Sequence, residues 1–325
     1  GSEFHLTEYF GPVLGIMEAA TLAEAFELQN AVEYGLTAGI HSLDPEEVSG
    51  WLSRVQAGNL YVNRPITGAI VRRQPFGGWK RSSVGPGAKA GGPNTLFTLG
   101  SWRPVPSPES GELHLDGVSA RVTAVIEASQ PALDYLEFET VRRGVLADAE
   151  AWEHEFSVAR DVSDLGVERN VFRYRPATAT IRLAEGGSLA EFVRVLAAGV
   201  LAQAALTLSS AVPVPSGLLP LIGAADIGGE LLLGIQSVTI ESDAAFAARA
   251  LAALPARLRL VAGPESTTAA ELADALDGSP DVAIWSGPVT SAGRIEMLPF
   301  LREQAVSITA HRFGNPDRGM IGLTL

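Results

Sequence analysis

The sequence predicts an α/β fold with a mostly parallel sheet, and three observations carry that reading. From residue 178 onward, β-branched apolar runs alternate with amphipathic helical stretches. The same rhythm is present before residue 63. Composition is globular, 46% hydrophobic and 19% charged over 325 residues, enough for one large domain or two ordinary ones. Strands separated by whole helices need crossover connections, which give parallel pairing with helices on the sheet faces. No short-period repeat is visible.

In chain order, "LAEAFELQNAVE" (22–33) sets Leu22, Ala25, Phe26 and Leu28 at helical spacing, and "GLTAGIHS" (35–42) follows as turn and strand. Asp44 is an N-cap with Pro45 at the first helical position, Glu46 and Glu47 in the first turn, and Gly58 as the stop. "NLYVN" (59–63) is a strand. From 64 to 100 periodicity gives way to glycine, and "SWRPVPSPESGE" (101–112) reads as a linker or domain edge. Residues 127–160 are charged and mostly helical. Strands then fall at 178–184, 205–210, 237–242, 257–263, 281–287 and 305–313, with helices at 188–204, 243–254, 266–277 and 295–303.

The bulk chemistry excludes several functions. A net charge of -13 argues against a nucleic-acid partner, because phosphate binding needs a basic field. The absence of cysteine removes disulfides, thiolate metal sites and a cysteine nucleophile. None of the five histidines lies four residues from another, so no metal site is expected. The apolar stretches 192–208 and 218–233 are broken by Arg194, Gln203, Asp226 and Glu230, so no membrane span is expected, and the chain reads as cytoplasmic. "GSEF" (1–4) reads as a cloning remnant.

Candidate motifs are few. "LIGAADIGGELLLG" (221–234) lacks the G-x-G-x-x-G spacing of a dinucleotide loop. "GPVTSAGR" (287–294) lies between a strand and a helix, where amides could hold an anion; a polar connecting loop is the simpler reading. No serine occupies a G-x-S-x-G elbow. The residues by themselves offer no catalytic nucleophile and no acid–base pair.

Two segments resemble a known family. "EYFGPVLGI" (8–16) resembles the E-x-F-G-P-V segment of aldehyde dehydrogenases, and "NRPITGAIVRRQPFGGWKRSSVG" (63–85) resembles their N-R-x-x-T-G-A-x-x-x-x-Q-P-F-G-G-x-K-x-S segment. "GAKAGGPNTL" (87–96) resembles the branch that oxidises L-glutamate 5-semialdehyde, the open form of 1-pyrroline-5-carboxylate; that branch includes the C-terminal half of bifunctional proline utilization A proteins. Stretches 156–176 and 286–316 resemble the C-terminal domain of the long members, an aldehyde-dehydrogenase-like fold without its chemistry. The resemblance therefore implies two parts. Residues 5–103 would be the C-terminal portion of a catalytic domain, 104–117 a linker, and 118–325 the second α/β domain.

Roles follow from the resemblance residue by residue. It implies that Glu8 holds the nicotinamide-ribose hydroxyls of NAD, as a carboxylate accepting two donors can, and that Phe10 packs near the nicotinamide. The alternative for Glu8 is an exposed carboxylate at a strand end. It implies that Gly91 and Gly92 hold the substrate α-carboxylate on backbone amides; the alternative is a plain turn before Pro93. Thr95 departs from the branch, which usually has an aromatic there. Phe76 is expected to pack, Gly77 and Gly78 to allow close backbone approach, and Arg72, Arg73, Lys80 and Arg81 to form either a cationic rim or a solvated face.

The family reaction needs a cysteine thiolate, a base glutamate, an oxyanion-holding asparagine and a dinucleotide domain, all upstream of E-x-F-G-P. The expectation is a fragment of a glutamate-semialdehyde dehydrogenase that is inactive alone and binds NAD only when complete. The alternative is a non-catalytic lid or oligomerisation module, with "AVSITAHRF" (305–313) available for pairing with a neighbouring subunit or domain. A homo-oligomer or a missing N-terminal half would cover the apolar surface expected on residues 5–100.

Overall fold

The computed structural model describes residues 2–102, 114–253 and 255–325, so most of the expected 104–117 linker lies outside the described residues. The first hundred residues carry α1 (Glu3–Leu6), α2 (Leu22–Asn30), β1 (Tyr34–Gly35), β2 (Thr37–Ile40), α3 (Pro45–Arg54), β3 (Asn59–Val62) and β4 (Trp79–Lys80). Next come α4 (Ala120–Ser129), α5 (Tyr135–Ala151), β5 (Arg160–Asp161), β6 (Glu168–Pro176), β7 (Thr178–Leu183), α6 (Leu189–Leu201) and β8 (Ala205–Ser210). The chain ends with β9 (Ile235–Ile240), α7 (Asp243–Ala252), β10 (Arg257–Val261), α8 (Thr268–Ala275), β11 (Ala283–Trp285), α9 (Gly293–Glu296), β12 (Leu301–Thr309), the hairpin β13 (His311–Arg312) and β14 (Asn315–Pro316), and α10 (Arg318–Ile321).

Local chemistry sets the helix starts. Asp44 accepts the Glu46 amide at 2.8 Å with Pro45 in the first turn, and Asp134 with Glu137 forms a reciprocal capping box on α5. Helix α6 is apolar on nearly every side. It is buried along almost its whole length, between the sheet and helices α4 and α5.

Among the described residues two five-stranded sheets form. One, in the order β11-β10-β7-β8-β9, is parallel throughout. Its one face carries the core of Ile181, Phe192, Leu196 and Phe300, and its other face the smaller cluster of Phe246, Leu258 and Leu272. This is the α/β class the alternation predicts.

The second sheet, β2-β3-β12-β6-β5, joins the two ends of the chain. Strand β12 pairs in parallel with β3, Ala305 opposite Asn59, and antiparallel with β6 along nine residues from Leu301–Pro176 to Thr309–Glu168. Val48, Trp51, Leu60, Val306, Ile308 and Met320 share one core beneath it. The sheet is therefore continuous across the 104–117 segment. Strand β12 contains most of "AVSITAHRF", and both its edges are paired within the chain.

One element differs from expectation. A helix over 295–303 is replaced by α9, a 3₁₀ turn at Leu298–Phe300, and the start of β12 at Leu301. Pro299 has no amide to continue the helix, and Leu301 onward finds a full ladder on β6. Strand β6 itself is not anticipated, because its alternation is written with arginines. Arg173 is 6% exposed, donating to the Gln304 side chain at 2.9 Å and the Leu52 carbonyl at 2.6 Å.

Candidate functional site

The glycine-rich segment 74–92 has little regular structure, and side chains from distant strands hold its shape. At its base is Asn59, the first residue of β3 and 1% exposed. Its amide nitrogen donates to the Pro75 carbonyl at 3.0 Å, and its oxygen accepts the Gly77 amide at 3.1 Å and the Lys89 ammonium at 2.7 Å. Phe76 and Ala90 exchange backbone hydrogen bonds at 3.0 and 2.8 Å, closing the segment into a ribbon. The glycines permit this closeness. A Cβ on Gly58 would sit 2.1 Å from the Gly77 carbonyl oxygen, and one on Gly78 would sit 2.3 Å from Ser82 Cβ.

The opposite wall comes from the far end of the chain. Glu303 on β12 accepts the Lys89 amide at 2.6 Å and the Asn94 side-chain amide at 2.7 Å. Asn94 also donates to Tyr174 Oη at 2.9 Å, and Tyr174 donates to Glu155 at 3.2 Å. Trp79 Nε1 donates to the Glu303 carbonyl at 2.8 Å. Gln74 donates to Asn170 and to Ser307, both at 3.0 Å, while Arg64 pairs with Glu168 at 3.1 Å and donates to Ser307 at 2.5 Å. These contacts tie the segment to distant strands, although Gln74 Oε1 and Arg64 Nε are buried without a partner among the described residues.

Burial shifts the titratable groups of this wall. Lys89, 3% exposed, is drawn down to about 7 by desolvation, opposed by the nearby Glu303 carboxylate. Its ammonium also donates to the Gly77 carbonyl. Burial pushes Glu303 above the usual carboxylate range, against the amides and cations around it. Tyr174 is pushed up by burial first and by Glu155 and Glu303 second.

The residues singled out in the sequence fall in two places. Gly91 has φ +71, and its added Cβ would lie 3.1 Å from Val71 Cα. The Gly92 amide is engaged in the turn itself, bonded to the Lys89 carbonyl at 3.0 Å and Thr95 Oγ1 at 3.1 Å. Thr95 also donates to the Lys89 carbonyl at 2.7 Å, so this threonine braces the turn. Glu8 and Phe10 lie on an irregular, exposed stretch, with Phe10 94% exposed. The hollow beside them, about 510 Å³, is lined only by residues 2–17. Gly91 and Gly92 line none of the cavities of about 620, 460, 220 and 510 Å³.

The chemistry of Glu8 suits a ribose diol, and Phe10 beside it faces solvent. Arg72, Arg73, Lys80 and Arg81 do not act as one rim. Arg81 pairs with Glu33 at 2.7 Å and Asp281 at 3.0 Å, whereas the Lys80 ammonium donates to the Asn30 and Val32 carbonyls at 2.6 and 2.9 Å. In the loop 287–294, Glu296 takes the position an anion would fill. It accepts the Thr290 amide at 2.9 Å and pairs with the buried Arg259 at 2.7 Å. No group of three or more metal-ligating side chains occurs among the described residues, and no helix there is long and apolar enough to cross a membrane. Sequence reasoning missed Asn59, Asn94, Ser307 and Glu303, whose partners lie far away in the chain.

Residues 1–99 match the aldehyde dehydrogenase family. Over 113 residues the chain is 45% identical to the bifunctional protein PutA of Rhizobium meliloti, covering 34% of this chain and 9% of that protein. Over 89 residues it is 44% identical to a 1-pyrroline-5-carboxylate dehydrogenase of Bacillus pumilus, 27% of this chain and 17% of that one. The solved structure of Proline Utilization A from Corynebacterium freiburgense superposes with a TM-score of 0.69 and 38% identity, over 97% of this chain and 27% of that one. The chain thus spans well under a third of the length of each of these relatives. Its first 99 residues match the aldehyde dehydrogenase family, and its mixed α/β fold is similar to PutA over 97% of the chain.

Proposed function

We propose that this chain supplies the substrate-carboxylate side of an NAD-dependent L-glutamate 5-semialdehyde dehydrogenase of proline catabolism, with residues 118–325 as the scaffold that shapes it. The observation that carries the reading is the identity of the chain to PutA and to 1-pyrroline-5-carboxylate dehydrogenases, together with the family match over residues 1–99.

The Gly91 turn is the element that meets the substrate. Its left-handed backbone presents a side-chain-free surface, where a carboxylate can approach the Gly91 amide; the Gly92 amide is committed within the turn. Glu303, Asn94, Asn59 and Thr95 hold the turn from behind, so its geometry is set before substrate arrives. The Lys89 side chain is committed to Asn59 and the Gly77 carbonyl, which turns it away from the anion.

Oxidation itself requires a thiolate, and the chain has no cysteine. In the complete enzyme NAD supplies hydride acceptance, and Glu8 and Phe10 contribute one wall of its site. On its own the chain binds no NAD and is inactive. The strongly exposed apolar residues Phe10, Leu14, Ile16, Leu96 and Leu99 form the surface that the remainder of a dehydrogenase covers.

Two assays test this. The chain mixed with 1-pyrroline-5-carboxylate and NAD gives no rise in NADH absorbance; turnover would refute its inactivity. In an enzyme containing this sequence, Gly91→Ala raises KM for glutamate semialdehyde at least tenfold and leaves KM for propanal, which has no carboxylate, within twofold. Equal effects on both aldehydes would remove Gly91 from carboxylate recognition.

A further inference from the structure

Away from the Gly91 turn, a second cavity of about 460 Å³ opens between β4 and the starts of β10 and β12. Its size is that of a small-molecule site. Four cations line it, Lys80, Arg81, Arg257 and Arg302, of which Arg81 is paired with carboxylates.

The charges there are not balanced. The Arg302 guanidinium lies 5.6 Å from the Trp79 ring centroid, and among the described residues it makes no hydrogen bond and no ion pair. Arg257 rests over Trp285 at 5.0 Å and uses only Nη1, on the Pro299 and Leu301 carbonyls at 3.1 and 2.8 Å and on the Leu298 carbonyl at 3.5 Å. The two carboxylates on the rim, Glu33 and Asp281, are both taken by Arg81. Arg302 is close enough to Lys80 and Arg257 to depress the pKa of both, with burial as the larger cause; at Arg257 the Glu303 carboxylate, already bonded to Lys89 and Asn94, offsets only part of this. A half-buried guanidinium facing like charges, in a chain of net charge -13, is costly unless something negative joins it.

We infer that this cavity is a binding site for a small organic anion, held through a carboxylate or phosphate by the free edges of Arg302 and Arg257. Both groups match the guanidinium fork, and Trp79 holds the plane of one fork in place. Ser83 lines the same cavity and offers a hydroxyl. Gly91 and Gly92 do not line it, so the site is separate from the proposed substrate turn and needs no catalysis to be seen.

The test is thermal unfolding of the 325-residue chain with sodium phosphate or sodium succinate, ionic strength being held constant with sodium chloride. The expected result is a saturable rise in Tm that chloride does not give; a response to one salt alone assigns the headgroup. Arg302→Met, which removes an uncompensated charge, should unfold at an equal or higher temperature than the wild type without anion. It should need at least tenfold more anion for the same rise. A wild-type response in R302M, or no response beyond chloride in the wild type, overturns the site. Should R302M not fold, tryptophan fluorescence decides. Saturable quenching by the anion that disappears in Trp79→Phe supports the site, and no saturable change in the wild type overturns it.

Discussion

Glu303 on β12 accepts the backbone amide of Lys89 at 2.6 Å across 214 residues of sequence. With the Asn94 amide on its other oxygen, one carboxylate from the end of the chain fixes the turn that carries the proposed substrate contact. Glu303→Ala leaves two buried donors without an acceptor, each costing about 1–3 kcal/mol. Glu303→Gln keeps one acceptor and should lose less. Urea unfolding measures both, and limited proteolysis should cut E303A first within 77–92. An E303A protein as stable and as resistant as wild type would show that the contact does not hold the turn.

The Lys89 ammonium predicts a pH dependence. Burial lowers its pKa from 10.5 to about 7 in the folded chain, so between those values the unfolded state binds more protons than the folded one. Stability therefore rises with pH across that window, by up to about 1.4 kcal/mol per unit, and the full cost of the buried charge stands below it. Unfolding midpoints at pH 7 and pH 9 should differ in the wild type and converge in Lys89→Met.

Gly144 lies in the middle of α5, where alanine would ordinarily gain about 1 kcal/mol of helix propensity. Here an added Cβ would lie 2.0 Å from Arg194 Nε, and Arg194 is locked onto Asp148 by two bonds of 2.5 and 2.7 Å. Overpacking costs about 1–3 kcal/mol, and the locked arginine has no cheap route away. Gly144→Ala should lower Tm. A rise would show that α5 and α6 shift apart freely.

The same pair separates charge from packing. Asp148 is 1% and Arg194 2% exposed. Breaking such a pair from one side costs about 3–5 kcal/mol, whereas removing both charges with apolar residues of similar size is often close to neutral. Asp148→Asn should destabilise strongly, and the double change Asp148→Leu with Arg194→Met much less. Additive losses in a denaturant-based mutant cycle would mean that the pair is not coupled.

The fold was legible wherever one local rule decided it. Asp44-Pro45 set the start of α3, and the alternation after residue 178 set the parallel sheet. Strand β6 was not, because Arg169, Arg173 and Arg175 stand where a buried strand normally shows apolar residues. Their partners, such as the Leu52, Ser53 and Met320 carbonyls, are invisible to any window of sequence. For the candidate site, family motifs pointed to Gly91 and Gly92, and the structure adds the supports behind them. Ser307 and Asn170 are unremarkable in sequence, and only the β12–β6 register brings them onto Gln74.

The shared sheet also governs when this chain can fold. Gln304 bonds the Ala57 carbonyl across 247 residues, and Arg64 meets Ser307 across 243. During synthesis at about 5–20 residues per second, the β3 edge waits roughly 12–50 s for its partner strand. Closing so long a loop also makes nucleation through β12 slow. Over that interval a bare strand edge and the loose glycine-rich ribbon are offered to other chains. Translation speed and chaperone supply, rather than final stability, then set the soluble yield.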